Sequence, residues 1–192
     1  MTTFYICRHG QTENNENERF SGWIDTPLTP KGERDARSSG RKLRGVAIDK
    51  IVASDLGRAF TTAYIVAREI GFSGDIARAK ALREVNYGDF ANQPYAVYPE
   101  VTPEENTDFA SPGGESLAQM QQRVLAYIGD LAESNPGKTI LLVAHDGTIN
   151  AVRGRFTGQE MGVVDLTHNA HDFVGKFEFK DGAVLSFEEV AA

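Results

Sequence analysis

The chain has 192 residues, which is enough for one well-packed domain and short for two. Its residues are 41% hydrophobic and 24% charged, as in ordinary soluble globular proteins, and no apolar run is long enough to cross a membrane. The formal net charge of −7 argues against a surface for nucleic acid or anionic membranes, so any anion site should be a local concentration of positive charge.

The N-terminal segment and the cysteine content indicate a compartment. The first residues lack the basic start and the long apolar stretch of a secretory signal. The single cysteine, Cys7, cannot form a disulfide within the chain, which fits a reducing environment. We therefore expect a cytoplasmic protein. Because Cys7 lies in a predicted strand, we expect a buried structural thiol.

From residue 4 to residue 82, strand and helix patterns alternate. The predicted elements are, in order, a strand over 4–7, a helix from 30 to about 44, a strand over 48–53, a helix from 59 to 70 and a short strand within 76–82. Thr29 and Pro30 are typical of an N-cap and a first helical position, and Gly71 is typical of a helix end.

The second half contains a long irregular segment followed by regular elements. Residues 85–114 are rich in Pro, Gly, Asn and acids, and we interpret them as an excursion that serves as a lid or substrate loop. After it come a helix over 117–131, a continuously apolar strand over 140–144, a helix to about 155, and a hairpin of 173–179 and 184–189. Asp181-Gly182 should form the hairpin turn.

This alternation predicts an α/β layered fold with a mainly parallel sheet. In such sheets, ligands bind beyond the carboxyl ends of the strands. Four polar groups follow four predicted strands: Arg8-His9, the segment 54–58, Glu84 and His145. We therefore expect them to meet at one edge of the sheet.

The residue types at this edge suit phosphoryl transfer. Arg8 and Arg58 can each offer a planar fork of donors to phosphate oxygens, and His145 can add another donor. A neutral His9 can attack phosphorus and carry the phosphoryl group covalently. Glu84, if held protonated, can donate a proton to the leaving oxygen. No cluster has metal-ligand spacing, so we expect neither a metal nor another cofactor.

Several ordered motifs give this chemistry a family context. They are Arg8-His9-Gly10 through Asn15, residues 22–29 with Gly32, residues 54–59 with 62–63, Leu82-Arg83-Glu84 with Gly88, residues 114–116 and Val143-Ala144-His145. Together they resemble the signature of the histidine phosphatase superfamily, which includes the cofactor-dependent phosphoglycerate mutases. The matches run in order from about residue 4 to residue 153, so the resemblance covers most of the chain.

The resemblance implies both a fold and a set of roles. The fold would be a three-layer α/β/α domain over residues 1–192, with helices on both faces of the sheet. His9 would be the phosphorylated nucleophile and Glu84 the acid and base. The implied phosphate pocket consists of Arg8, Arg58 and His145, and the implied substrate-binding residues are Asn15, Gly22 and Gly147.

Some positions depart from the motifs or have no role in them. Asp146 follows the second histidine, where glycine is common in the superfamily. A carboxylate there would repel phosphate, so we expect its side chain to turn away and cap the following helix. Glu84 could instead pair with Arg83. His168 and His171 are expected to be ordinary loop or strand-start residues.

The excursion favours the phosphatase branch. From residue 84 to residue 122 there is no Lys or Arg, whereas a phosphoglycerate mutase needs cations for the substrate carboxylate. The acids there are Glu84, Asp89, Glu100, Glu104, Glu105, Asp108 and Glu115. We therefore predict a metal-independent phosphomonoester hydrolase that acts on a small phosphorylated metabolite. A mutase and a non-catalytic phosphate-binding module are the alternatives.

The substrate and the oligomeric state stay open at this stage, with a homodimer as one option. The excursion also contains the aromatic residues Tyr87, Phe90, Tyr95, Tyr98 and Phe109. These rings could contact an apolar or ring-bearing leaving group, or they could form the core of the excursion itself. Taken residue by residue, the sequence favours the second role.

Overall fold

The computed structural model describes residues 1–165 and 167–191. Across these residues, the strands are β1 (Thr2–Arg8), β2 (Lys50–Ser54), β3 (Ile76–Ala79), β4 (Thr139–Ala144), β5 (Val174–Lys180) and β6 (Ala183–Glu189). They form one sheet in the order β3-β2-β4-β1-β5-β6.

The sheet is mainly parallel, as predicted. β4 lies between β1 and β2 and is parallel to both, with Leu142 opposite Ile6 on one side and Val52 on the other. β3 is parallel to β2, whereas β5 is antiparallel to β1 and β6 to β5. The β5–β6 turn contains Asp181 and Gly182 at positive φ angles of 50° and 76°. This confirms the predicted hairpin.

Helices connect most of the strands. They are α1 (Glu13–Glu16), α2 (Pro30–Lys42), α3 (Gly57–Ile70), α4 (Pro103–Asp108), α5 (Leu117–Glu133), α6 (Asp146–Thr157) and α7 (Met161–Val164). The short helices α1, α4 and α7 contain too few residues to show apolar periodicity, which is why the sequence does not predict them. Across residues 1–165 and 167–191, no helix has the length and apolar character that a membrane crossing requires.

The apolar strand β4 explains the layers. Successive side chains of a strand point to opposite faces, so a continuous apolar run is stable only when both faces are covered. Leu141 and Val143 belong to the core that contains Val66 of α3, whereas Leu142 belongs to the core that contains Met120 of α5. All five side chains are fully buried, and each such burial contributes about 1.5–3 kcal/mol. The three-layer α/β/α prediction is confirmed.

Cys7 lies in the core on the α3 face. It has no exposed surface, and burial raises the pKa of its thiol to about 12. A thiol in this state is a weak nucleophile. The prediction of a buried structural cysteine is confirmed.

The carboxyl ends of β1 to β4 face the excursion of residues 85–114. The excursion contains turns of 3-10 helix at Gly88–Phe90 and Tyr95–Val97, followed by α4. Its α4 packs on α7, where the main-chain nitrogen of Gly162 donates to Thr107 Oγ1 over 2.9 Å. The space between the sheet edge and the excursion is the candidate site.

Candidate active site

The polar groups after the parallel strands meet at a cavity of about 630 Å³. The predicted site residues that line it are Arg8, His9, Asn15, Gly22, Arg58, Glu84 and Gly147. His145 is fully buried beside His9, with the two ring centres 5.1 Å apart. The structure therefore brings all eight predicted residues together at one edge of the sheet.

His9 has a defined hydrogen-bonding state. Its Nδ1 lies 2.8 Å from the carbonyl oxygen of Gly10, and because a carbonyl only accepts, Nδ1 must carry the proton. Its Nε2 accepts from Arg58 Nε over 3.3 Å. Burial and the nearby Arg58 and Arg8 lower the pKa of His9 well below its usual value. His9 is therefore neutral near pH 7, with the lone pair on Nε2.

The guanidinium of Arg58 is held by the main chain of the second motif. Its Nη1 donates to Ile24 O over 2.9 Å and its Nη2 to Gly22 O over 2.7 Å. Gly22 has a φ of 51°, a left-handed conformation that favours glycine. Asp25 accepts from the main-chain nitrogens of Gly57 and Arg58 and so caps α3. Burial lowers the pKa of Arg58 to about 10, so it stays charged at neutral pH.

Arg8 precedes His9 in the chain and faces an acid. Its Nη1 donates to the carbonyl oxygen of Asn169 and lies 3.8 Å from Asp146 Oδ2. Its Nε is buried and has no hydrogen-bond partner among the described residues. A buried donor of this kind is rare in folded proteins, and it leaves an N–H available to an anion.

The expectation for Asp146 is wrong. His145 is the N-cap of α6, without a side-chain cap, and Asp146 is the first residue of the helix. Asp146 Oδ1 accepts from the main-chain N and the Nδ2 of Asn169 over 3.0 and 2.7 Å. These two bonds hold the carboxylate at the cavity wall beside Arg8. A negative charge therefore offsets part of the positive charge at this end of the cavity.

His145 is fixed by β2. Its Nε2 lies 2.9 Å from Ser54 Oγ, and its Nδ1 is buried without a hydrogen-bond partner in the described part of the chain. Burial and Arg58 lower its pKa well below the usual value, so the ring is neutral. If the Ser54 hydroxyl donates to Nε2, the proton is on Nδ1. His145 then offers a second free N–H beside His9.

Glu84 is held by two main-chain nitrogens. Its Oε1 accepts from Val85 N over 2.8 Å and its Oε2 from Gly147 N over 3.2 Å. Gly147 must be small, because a Cβ there would lie 2.3 Å from Glu84 Oε1. Burial, with a smaller contribution from Asp146, raises the pKa of Glu84 above its usual value. The carboxyl group therefore takes up a proton more readily than an exposed glutamate.

The main chain at Glu84 is anchored from three sides. Trp23 Nε1 and Arg123 Nη2 each donate to the carbonyl oxygen of Glu84 over 2.8 Å. The preceding Arg83 forms a two-pronged ion pair with Asp55, with both N–O distances at 2.7 Å. The alternative pairing of Arg83 with Glu84 is thus not what the structure contains, and Trp23 positions the acid.

Asn15 lies in the first turn after the nucleophile motif. Its Oδ1 accepts from Thr12 N and Thr12 Oγ1 over 3.0 and 2.9 Å, which completes a capping box on α1. This arrangement uses the acceptor of the amide. The Nδ2 group is left as the donor that can face an anion in the cavity.

His171 and Asp165 are among the lining residues that the sequence analysis does not assign to the site. His171 Nδ1 lies 3.2 Å from the carbonyl oxygen of His9, and burial together with Arg8 lowers the pKa of His171 to about 4. Asp165 follows α7, and burial together with Glu84 raises its pKa to about 7. His168 also lines the cavity, but its side chain is exposed, with Nδ1 3.5 Å from Asp146 Oδ2.

These groups do not form a metal centre by their arrangement. Across residues 1–165 and 167–191, no three or more His, Cys, Asp or Glu side chains are placed to hold a metal ion.

The structure also shows where the aromatic residues of the excursion lie. Tyr87, Tyr95, Tyr98 and Phe109 line the cavity, whereas Phe90 packs behind them, 5.6 Å from Tyr98 between ring centres. The rings form the core of the excursion and the cavity wall at once.

The chain is similar to known proteins over most of its length. The family model of the histidine phosphatase superfamily (branch 1) matches residues 4–185. A 2,3-bisphosphoglycerate-dependent phosphoglycerate mutase of Cytophaga hutchinsonii is 30% identical over 204 residues, covering 98% of this chain and 96% of the mutase. YhfR of Bacillus stearothermophilus superposes with a TM-score of 0.85 at 29% identity, covering 96% of this chain and 94% of YhfR. A mycobacterial glucosyl-3-phosphoglycerate phosphatase superposes with a TM-score of 0.82 at 25% identity, covering 92% of each chain. The chain belongs to the histidine phosphatase superfamily.

Proposed function

We propose that this chain is a metal-independent phosphomonoester hydrolase that forms a phosphohistidine at His9. The observation that carries the proposal is the state of His9: neutral, with its proton on Nδ1 and its Nε2 lone pair beside Arg58. A neutral imidazole nitrogen is the nucleophile that phosphoryl transfer to histidine requires. Arg8 and Arg58 supply the positive charge for the phosphate oxygens.

In the first step, His9 Nε2 attacks phosphorus and the bond to the ester oxygen breaks. In the free protein, Arg58 Nε donates a hydrogen bond to His9 Nε2. When the substrate is bound, this N–H donates to a phosphate oxygen instead. Glu84 gives its proton to the leaving oxygen, which departs as an alcohol. The Gly10 carbonyl, which accepts from His9 Nδ1, stabilises the positive charge that develops on the ring.

In the second step, water attacks the phosphorus of phosphohistidine. Glu84, now ionised, takes a proton from this water, and the P–N bond breaks. Inorganic phosphate leaves, and His9 and Glu84 return to their starting states. Both steps balance without a metal or another cofactor.

The charges around the cavity support transfer of the phosphoryl group to water and not to a second hydroxyl group of a substrate. Of the described residues that line it, Arg8 and Arg58 are the two with guanidinium or ammonium groups. Both belong to the phosphate end, so no lining Lys or Arg is left for the carboxylate of a phosphoglycerate. The relatives include a mutase and a phosphatase by name, and this charge distribution favours the phosphatase.

The test is turnover of p-nitrophenyl phosphate in EDTA by the wild-type protein and by His9→Ala. We expect steady phosphate release that the substitution abolishes, and a phosphoenzyme that is stable in base and labile in acid. Loss of activity in EDTA would contradict the metal-free mechanism. Interconversion of 2- and 3-phosphoglycerate that is faster than hydrolysis would identify a mutase. A protein with neither activity and no phosphohistidine would be a binding module.

A further inference from the structure

The cavity has two chemically different ends. The phosphate end contains His9, Arg8 and Arg58, as described above. The other end is formed by aromatic rings and carboxyl groups, and the phosphatase mechanism uses none of these except Glu84. Because the phosphate end fixes the ester, this second end must face the leaving group.

The rings at the second end pack against one another in one cluster. The ring centres of Phe20 and Tyr95 lie 4.8 Å apart at 66°, and those of Tyr87 and Tyr98 lie 6.5 Å apart at 90°. Phe20 and Tyr87 join the two pairs, with their centres 4.5 Å apart. All four rings line the cavity. The face of an aromatic ring is negative, so a cation in the cavity is attracted to the ring surface that lines it.

Asp165 lines the same cavity as these rings and the catalytic acid Glu84. Its charge contributes to the raised pKa values of Tyr87 and Tyr98, and the charge of Glu84 contributes to the raised pKa of Asp165 itself. Asp165 is therefore close to both the rings and Glu84. A positive group on the ligand in this position would relieve the repulsion among these groups.

The protein supplies little positive charge of its own at this end. The other lining acids are Glu18, Glu115 and Asp146. Glu115 is paired with Arg123, and Asp146 faces Arg8. A leaving group with a carboxylate would meet Asp165 and Glu18 without a compensating cation, whereas a leaving group with an ammonium would be attracted.

We propose that the preferred substrates are short alkyl phosphomonoesters whose leaving group carries an ammonium or quaternary ammonium, which lies between the aromatic rings and Asp165. This inference rests on the proposed phosphatase activity and adds the substrate class. The chemistry of the bond that breaks is unchanged. The ammonium group contributes only through its charge.

The test compares two esters of the same shape. Phosphocholine carries a quaternary nitrogen, and 3,3-dimethylbutyl phosphate has carbon in its place. We expect kcat/KM for phosphocholine to be higher by about tenfold or more, as cation–π attraction with an ion pair provides. 3-Phosphoglycerate should be the poorest of the three. Equal kcat/KM values for the matched pair, or a preference for 3-phosphoglycerate, would overturn the inference.

Variants locate the effect. Asp165→Asn should reduce the ratio of the two kcat/KM values, whereas Asp89→Asn, an exposed acid of the excursion outside the cavity, should leave the ratio as it is. Tyr95 is 42% exposed, so its substitution should be tolerated. Tyr95→Leu should reduce the ratio and Tyr95→Phe, which keeps the ring, should not. If the ratio of the two kcat/KM values is unchanged in both Asp165→Asn and Tyr95→Leu, the ammonium does not lie between the aromatic rings and Asp165.

A binding measurement separates this inference from the proposed function. Choline and 3,3-dimethylbutanol are compared as competitors of p-nitrophenyl phosphate hydrolysis, and choline should inhibit at the lower concentration. If no ester is hydrolysed, the phosphatase proposal fails. Phosphocholine and its isostere are then compared by calorimetric titration of the protein. Tighter binding of phosphocholine supports the substrate class, and equal binding overturns it.

Discussion

The Nε of Arg58 donates to Nε2 of His9 over 3.3 Å, while the two terminal nitrogens of the same guanidinium donate to main-chain carbonyls. The arginine thus fixes the direction of the histidine lone pair. Burial lowers the pKa of His9, the charge of Arg58 lowers it further, and the ring is therefore neutral. The structure also ties this contact to the motif at residues 22–25, since Gly22 and Ile24 supply the carbonyls. The second motif therefore acts on the nucleophile through Arg58.

Arg58→Lys should lower kcat/KM for p-nitrophenyl phosphate by about 100-fold, as removal of a preorganised donor to a developing oxyanion does. Lysine keeps the charge but cannot donate to His9 and to two carbonyls in one plane. The measurement is steady-state kinetics with circular dichroism to verify folding. Arg68→Lys, at a site in the last turn of α3, serves as the matched control. Retention of more than a tenth of the activity by Arg58→Lys would contradict this account.

Glu84→Gln should separate the two chemical steps. Nitrophenolate leaves without a proton, so the variant should still be phosphorylated by p-nitrophenyl phosphate. Water then lacks its base, and phosphohistidine should accumulate. Hydrolysis of an alkyl phosphate, whose leaving group needs the proton, should fall by about 10²–10⁴-fold. Rapid quenching with detection of base-stable phosphoprotein gives the first result. Equal losses with both substrates and no phosphoenzyme would assign the acid to another group.

The pH dependence follows from the same residues. His9 must be neutral, and because its pKa is lowered, the acidic limb of kcat/KM should lie well below pH 6.5. Glu84 must be protonated, and because its pKa is raised, the alkaline limb for alkyl esters should lie above pH 4.5. Asp146→Asn removes a negative charge that raises the pKa of Glu84, so the alkaline limb should move to lower pH.

Asp146→Asn should also strengthen the binding of inorganic phosphate. The amide oxygen can still accept from Asn169, while the charge beside Arg8 is lost. We expect the inhibition constant for phosphate to fall several-fold, about 1 kcal/mol, since the pair is partly exposed to solvent. Asp130→Asn, an exposed acid on α5, is the control. An unchanged inhibition constant would show that the Asp146 carboxylate does not compete with phosphate.

Local signals explain what the sequence predicts well. The four strand ends follow from short apolar runs, and their meeting at one edge follows from parallel packing. Asp146 is different, because a side chain at the first helical position can turn toward the helix or away from it. Its direction depends on Asn169, which the fold brings close only through the segment before β5. Asp165 and His171 were missed for the same reason: both reach the cavity through the packing of α4 on α7 and of the segment before β5.

The buried neutral histidines should make stability fall in mild acid. His171 has a pKa of about 4 in the folded protein and about 6.5 when unfolded. Between these values the unfolded chain binds a proton that the folded protein does not, so stability is lost as pH falls below 6.5. When the pH is lowered from 7.5 to 5.5, protonation of His171 in the unfolded chain should reduce the free energy of unfolding by about 1 kcal/mol. His9 and His145 should add to the loss.

Urea unfolding at pH 7.5 and 5.5 measures this loss of stability. The difference in unfolding free energy between the two pH values should be smaller for His171→Gln than for the wild type. His168→Gln, at an exposed histidine, should match the wild type. An equal pH difference in His171→Gln and the wild type would show that His171 binds its proton equally well in the folded state.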